Sequence, residues 1–199
     1  MDSLSQIVLG AAVGEAALGK KVGNKAALWG AIAGTIPDLD VLSGLWQTEF
    51  ESMVSHRGFS HSIFFSLVFA PILGWLIWRI YKRRQASYRD WSLLAFLSLV
   101  THPLLDCFTS WGTQLFWPFS DHRVAWDTIF VADPLYTLPF LTCLIVALFL
   151  RRDSKARRNW NRAGLIISCA YLMLTVVNKM TVNRVFTKQL HAKLSLIHI

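Results

Sequence analysis

The chain has 199 residues, of which 54% are hydrophobic and 16% charged, and its mean hydropathy is +0.41. This apolar share exceeds that of an ordinary soluble domain and favours a membrane protein, in which lipid covers much of the apolar surface. The formal net charge of +8 arises from Lys and Arg in short loops between apolar segments, so we expect no nucleic-acid partner. The three cysteines are isolated and indicate neither a disulfide framework nor a thiolate zinc site.

The apolar segments in chain order predict an all-α, polytopic bundle of about five or six membrane helices. A segment such as 62–80 would extend roughly 28 Å as a helix, close to the thickness of the hydrocarbon layer. The predicted segments are 4–19, 26–45, 62–80, 91–111, 134–150 and 163–180. We expect no substantial sheet, because lipid cannot satisfy exposed backbone groups. Residues 1–182 are predicted to form one integral membrane domain, followed by a short tail at 183–199.

The basic residues predict the orientation of these segments. They cluster in three loops, "KKVGNK", "RIYKRRQASYRD" and "RRDSKARRNWNR". Loops rich in Lys and Arg face the cytoplasm. Residues 46–61 and 112–133 are then expected on the non-cytoplasmic side, and the lipid bilayer is the expected surrounding of the whole domain.

Several ionisable residues lie at the predicted non-cytoplasmic ends of the apolar segments. They are Asp38, Asp40, His56, His61, His102 and Asp106. Two of them, His102 and Asp106 in "THPLLD", are four residues apart and therefore share one helical face. The histidines of "HRGFSH" bracket a glycine that permits a tight turn. Ionisable groups at membrane depth usually face the protein interior and have partners, so we expect these six to converge.

Imidazole and carboxylate groups in this combination predict a site for one or two divalent metal ions. Zinc is the first expectation, with manganese or iron as alternatives. Two ions that share a bridging Asp would use all six side chains and would suit the displacement of a phosphoester. Arg57, between the two histidines, would then offer its planar guanidinium to a phosphate.

The residues alone leave three classes of function open. The first is a metal-dependent hydrolase of phosphoester or lipid-linked substrates. The second is a metal carrier or channel, which would spread its ligands through the depth of the bundle. The third is a non-catalytic membrane protein with a structural metal, whose site would be closed to solvent. Individual residues also admit simpler roles, since Asp133 precedes Pro134 and has the pattern of a helix cap.

Several segments resemble the bacterial membrane-bound metal-dependent hydrolase family, which includes a LexA-regulated inner-membrane hydrolase. They are "DSLSQIVLGAAVGEAALGKK", "GTIPDLDVL", "HRGFSHS", "THPLLDCFTSWGTQLFWPFS" and "RVAWDTIFVADPLYTLP". The resemblance implies a multi-pass protein of the bacterial inner membrane and a zinc-type hydrolase. It also implies that the six Asp and His residues above are the metal ligands, at a site on the non-cytoplasmic side.

The chain departs from this family near its N-terminus. Many relatives carry a Thr-His pair where this chain has Ser5 and Gln6, so one expected histidine ligand is missing. Glu15 is a candidate replacement in the catalytic site, although nine residues of helix place it on the opposite face from Gln6.

The segment 112–133 is predicted to lie at the membrane surface beside the site. Its tryptophans, with Trp111 just before it, are typical of interfacial anchors, and the segment could form a lid. The candidate substrate-binding residues in and after this segment are Trp117, Asp127 and Asp133. A substrate with an apolar tail would enter from the lipid.

Overall fold

The computed structural model describes residues 1–45, 57–81 and 86–197. The helices are α1 (Ser3–Val22), α2 (Asn24–Thr35), α3 (Ile63–Ile80), α4 (Tyr88–Asp106), α5 (Pro134–Phe149) and α6 (Lys155–Ile197). Two 3₁₀ segments, Pro37–Leu45 and Phe59–His61, lie between α2 and α3 in the chain. Within the described ranges the only β pairing is an isolated bridge between Thr113 and Val124. The predicted all-helical architecture is confirmed for this part of the chain.

Two helices are long and apolar enough to cross a membrane, Ile63–Ile80 and the part of α6 at Lys155–His191. A third apolar helix, α5, is shorter, with 16 residues. Of the five or six predicted crossings, two are therefore matched by helices of sufficient length and apolarity among the described residues. The other predicted segments are also helical over most of their length.

Two predicted segments are shorter as helices than their apolar runs suggested. The run 26–45 forms a helix only to Thr35 and continues as a 3₁₀ segment from Pro37. Proline lacks a backbone N–H and disfavours helix in the residue before it, which explains this end. The run 91–111 leaves the helix after Asp106, and the chain then turns. Both helix ends bring acidic residues to the same region.

Helix α1 packs against α2, α4, α5 and α6. Its closest partner is α2, because glycines line both sides of their contact. A Cβ atom on Gly10 would meet the carbonyl oxygen of Gly30, and one on Gly14 would meet that of Ala26. Small residues of this kind let two helix backbones approach closely, as they do between membrane helices.

Helix α5 begins as its sequence predicts. The Asp133 side chain accepts hydrogen bonds from the backbone N–H groups of Leu135, at 3.0 Å, and Tyr136, at 3.3 Å, with Pro134 in the first turn. Its other carboxylate oxygen accepts a hydrogen bond of 2.8 Å from the Tyr171 hydroxyl of α6. Helix α6 itself continues without a break past residue 183, so the predicted tail starts within this helix.

Candidate metal centre

Four side chains from three parts of the chain converge at one end of the bundle. Asp38 comes from the 3₁₀ segment after α2, His61 from the 3₁₀ turn before α3, and His102 and Asp106 from successive turns of α4. One ligand atom from each lies within 4.8 Å of all the others. The group could therefore hold a metal ion.

Five of the six distances between these atoms are close to those in the donor set of a small tetrahedral ion. The Nε2 atoms of His61 and His102 are 3.1 Å apart. Asp38 Oδ1 lies 3.5 Å from His61 Nε2 and 3.3 Å from His102 Nε2. Asp106 Oδ2 lies 3.5 Å from each of the same two nitrogens. A tetrahedron around zinc, with bonds of about 2.0–2.1 Å, has edges of about 3.3–3.4 Å, so these residues fit such an ion.

Hydrogen bonds on the far side of each imidazole fix which nitrogen faces the cluster. His102 Nδ1 lies 2.5 Å from the carbonyl oxygen of Gly34. A carbonyl can only accept, so Nδ1 carries the proton and Nε2 presents a lone pair to the cluster. His61 Nδ1 has Ser60 Oγ at 3.0 Å and Asp40 Oδ2 at 3.4 Å. Asp40 thus occupies the outer position that carboxylates take behind metal-binding histidines.

Asp106 is fully buried and uses its two oxygens differently. Oδ1 accepts a 3.0 Å hydrogen bond from Gln6 Nε2 and another from the α-amino group of Met1. Oδ2 faces the two histidines and has no hydrogen-bond partner in the described part of the chain. Buried polar atoms are rarely left without a partner, so this oxygen is suited to bind a metal ion.

Gln6 is a site residue that the sequence pattern did not assign. Its Nε2 also donates to the carbonyl oxygen of His102, at 3.3 Å, while its Oε1 is buried and has no hydrogen-bond partner among the described residues. The departure from the Thr-His pattern marks this position, but the replacement for the missing histidine was expected at Glu15.

Arg57 lies beside the cluster in a conformation that is uncommon for a side-chain-bearing residue. Its φ angle is +64°, and its side chain is buried. Nη1 donates to Thr109 Oγ1 at 2.9 Å, and Nε is 3.6 Å from Asp106 Oδ2. Its backbone N–H donates to Asp40 Oδ2 at 3.2 Å. Such strain persists where surrounding contacts impose it and is common at functional sites.

The predicted ligand set is thus only partly assembled in the described structure. Asp38, His61, His102 and Asp106 come together, and Asp40 lies behind His61 instead of beside the other carboxylates. His56 lies outside the described residues.

Glu15, the candidate replacement for the missing histidine, does not reach the cluster. It accepts hydrogen bonds of 2.6 and 2.7 Å from Nε and Nη2 of Arg157. Nine residues of α1 separate it from Gln6, about 13–14 Å along the helix axis. Its carboxylate therefore belongs to a separate buried ion pair.

The three candidate substrate-binding residues lie in different parts of the structure. The Trp117 ring packs edge-on against Phe59, at 4.9 Å between centroids, and so adjoins the turn that carries His61. Asp127 pairs with Lys179 at 3.6 Å, and Asp133 caps α5. Only Trp117 is placed next to the site by these contacts.

The fold and the cluster together define a helical membrane protein with a candidate metal centre. The chain belongs to the YdjM inner membrane protein family, whose sequence pattern matches residues 1–182. This agrees with the expected inner-membrane family.

Two relatives show the extent of the similarity. Inner membrane protein YbcI of Escherichia coli (strain K12) is 37% identical over 118 residues, in an alignment that covers 56% of this chain and 66% of the relative. Uncharacterized protein YfhP of Bacillus subtilis (strain 168) is 31% identical over 153 residues, in an alignment that covers 73% of this chain and 46% of the relative. The chain thus spans less than two thirds of the length of each. No solved structure matches it.

Proposed function

We propose that this protein is a metal-dependent hydrolase that cleaves phosphoester or lipid-linked substrates at the non-cytoplasmic face of the inner membrane. The observation that carries the proposal is the buried guanidinium of Arg57 beside a four-ligand donor set. A cation next to a metal site weakens the binding of the metal, so its placement there suits an anionic substrate better than a purely structural ion. Arginine also matches the geometry of phosphate oxygens.

Four clustered side chains would hold the metal ion, namely those of Asp38, His61, His102 and Asp106. Zinc is the first candidate, and manganese and iron are the alternatives. When bound, a divalent ion supplies Lewis-acid catalysis and an activated water.

The remaining polar groups orient this set and the substrate. The carbonyl of Gly34 and the carboxylate of Asp40 hold the two imidazoles with Nε2 facing the site. Thr109 fixes the guanidinium of Arg57, which would bind the phosphoryl oxygens of the substrate.

Substrate would approach from the Asp38 side of the cluster. The Asp38 side chain is 25% exposed, whereas the side chains of His61, His102 and Asp106 are 0% exposed. Large apolar side chains close to these residues in the chain are exposed, namely Leu39, Val41 and Phe59. Exposed apolar side chains beside a polar site favour a substrate with an apolar tail that arrives from the bilayer.

The proposed orientation follows from the basic loops and has its own test. A cysteine introduced at Asp121 should react with a membrane-impermeant thiol reagent in intact cells, and one at Lys155 should not. The native cysteines would first be replaced by serine, because Cys169 is exposed. Labelling at position 155 alone would place the site on the cytoplasmic side.

A structural metal site is the second candidate, and one observation favours it. Three of the four ligand side chains are completely closed to solvent, and structural zinc sites are typically closed with four protein ligands. A carrier or channel has less support, because the ligand atoms lie within 4.8 Å of one another and do not form a path.

The deciding experiment compares turnover with metal content. The purified protein would be loaded separately with zinc, manganese and iron and assayed on phosphodiester, phosphomonoester and phospholipid substrates. Arg57→Lys keeps the charge but loses the planar fork, so we expect turnover to fall by about 10–100-fold with bound metal unchanged. His102→Ala should lose both turnover and bound metal. Metal retention without hydrolysis of any substrate would favour the structural site, and equal hydrolysis by wild type and His102→Ala would refute the hydrolase.

A further inference from the structure

A second polar cluster lies at the other end of α1, where α6 begins. Glu15 and Arg157 form a two-bond ion pair there, and both side chains are buried. Arg157 Nη1 also donates to the carbonyl oxygen of Leu150, at 3.1 Å. The carboxylate charge of Glu15 is therefore neutralised within the protein.

A cavity of about 80 Å³ adjoins this ion pair. It is lined by Glu15, Ala16, Lys20, Arg158, Asn161 and Arg162. Because Arg157 neutralises Glu15, the remaining charges around the cavity are three cations. One water needs about 10–15 Å³ by this measure of volume, so the cavity has room for a group of several heavy atoms. It is suited to an anion such as a phosphate.

Asn161 adds a second requirement on the ligand. Its side chain is 3% exposed, and Nδ2 donates to the carbonyl oxygen of Ala12 at 2.9 Å. Because that carbonyl can only accept, the amide orientation is fixed and Oδ1 is the free end. Oδ1 is buried and has no hydrogen-bond partner within the described residues. A ligand that satisfies it must donate a hydrogen bond, as a hydroxyl does.

The cavity is distinct from the metal centre. Lys20 is fourteen residues from Gln6 along α1, a distance of about 21 Å. Trp160, next to Asn161 in the chain, is exposed, as tryptophans at a membrane surface are. Basic pockets between membrane helices are known sites for anionic lipid headgroups.

We propose that this cavity binds a phosphate ester whose alcohol part keeps a free hydroxyl, with phosphatidylglycerol as its membrane source. The three cations contact the phosphate, and the glycerol hydroxyl donates to Asn161 Oδ1. The ligand would bridge the end of α1 and the start of α6. This inference is independent of the proposed hydrolase activity.

The test measures lipid retention by the purified full chain in detergent, using native mass spectrometry. Wild type should bind phosphatidylglycerol at least about tenfold more tightly than phosphatidylcholine, because the choline ammonium cancels the phosphate charge and each cation near an anionic lipid contributes about fivefold. The variant Lys20→Gln/Arg158→Gln/Arg162→Gln should lose this preference. A matched variant, Arg89→Gln/Arg151→Gln/Lys155→Gln, removes the same charge from exposed positions outside the cavity and should retain it.

Two further arms use wild type alone and do not depend on whether a variant folds. Phosphatidylmethanol has the charge of phosphatidylglycerol but no hydroxyl, so it should bind several-fold more weakly. Glycerol 3-phosphate at millimolar concentration tests the soluble source: displacement of the lipid would assign the cavity to the free ester, and failure to displace supports the lipid. Equal retention of phosphatidylglycerol and phosphatidylcholine, or equal losses in the two triple variants, would overturn the proposal.

Discussion

Two buried carboxylates, Glu15 of α1 and Asp106 of α4, differ in how completely the protein satisfies their oxygen atoms. Glu15 directs both carboxylate oxygens to one guanidinium, at 2.6 and 2.7 Å. Asp106 leaves Oδ2 without a hydrogen-bond partner in the described structure and turns it toward two imidazole nitrogens and a second carboxylate. The Glu15–Arg157 ion pair is complete without any ligand, whereas the cluster around Asp106 has the composition of a site that a cation completes.

The largest expected effect is a loss of stability when the Glu15–Arg157 ion pair is broken. Arg157→Leu would leave a buried carboxylate without its partner, so we expect a loss of about 3–5 kcal/mol in the free energy of unfolding. Denaturant titration in detergent measures this. Arg151→Leu, at an exposed position nearby, is the control and should change stability little. A wild-type unfolding midpoint in Arg157→Leu would show that the ion pair does not support the fold.

The next largest effect is on metal affinity, and it distinguishes the four inner ligands from Asp40, which lies behind His61. Asp40→Asn weakens the acceptor behind His61 but leaves all four inner ligands, so metal affinity should fall by about 10–100-fold. Competition with a chelator measures the affinity. A loss as complete as that of Asp106→Asn would instead make Asp40 a direct ligand, as the sequence pattern had suggested.

The smallest expected effect on stability concerns an exposed ion pair between Lys21 and Asp90, near the same end of α1 as the Glu15–Arg157 pair. The hydrogen bond from Lys21 lowers the pKa of Asp90 below its ordinary value, and the two groups are 2.7 Å apart. A carboxylate with a lowered pKa adds stability at neutral pH that is lost as pH falls. Lys21→Met should therefore destabilise the protein by less than about 1 kcal/mol at pH 7, and its difference from wild type should shrink on acidification. A constant difference across the pH range would exclude this linkage.

Much of the fold follows from patterns that are local in the chain. The apolar run at 62–80 becomes α3, and the Asp-Pro pair at 133–134 begins α5. The spacing of His102 and Asp106 predicted that both lie on one helical face, and in the structure both belong to the same four-residue cluster. These features depend on the helical repeat and on cap chemistry, which a short segment contains in full.

The features that could not be predicted depend on contacts between distant segments. Glu15 was a candidate for the catalytic site because the expected histidine is missing, and its true partner, Arg157, lies 142 residues away in the chain. Asp40 could not be separated from Asp38 by sequence, since the ring orientation of His61 decides which carboxylate meets which nitrogen. The role of Gln6 likewise depends on the packing of α1 against α4.

The most direct test of the central claim is the metal content of the purified protein. After loading with zinc and removal of excess by gel filtration, elemental analysis should find about one ion per wild-type chain, and much less in Asp106→Asn and His102→Ala. Asp127→Asn, which alters an exposed carboxylate away from the cluster, should bind as wild type does. Absence of zinc, manganese and iron from wild type, or unchanged content in both site variants, would contradict the account.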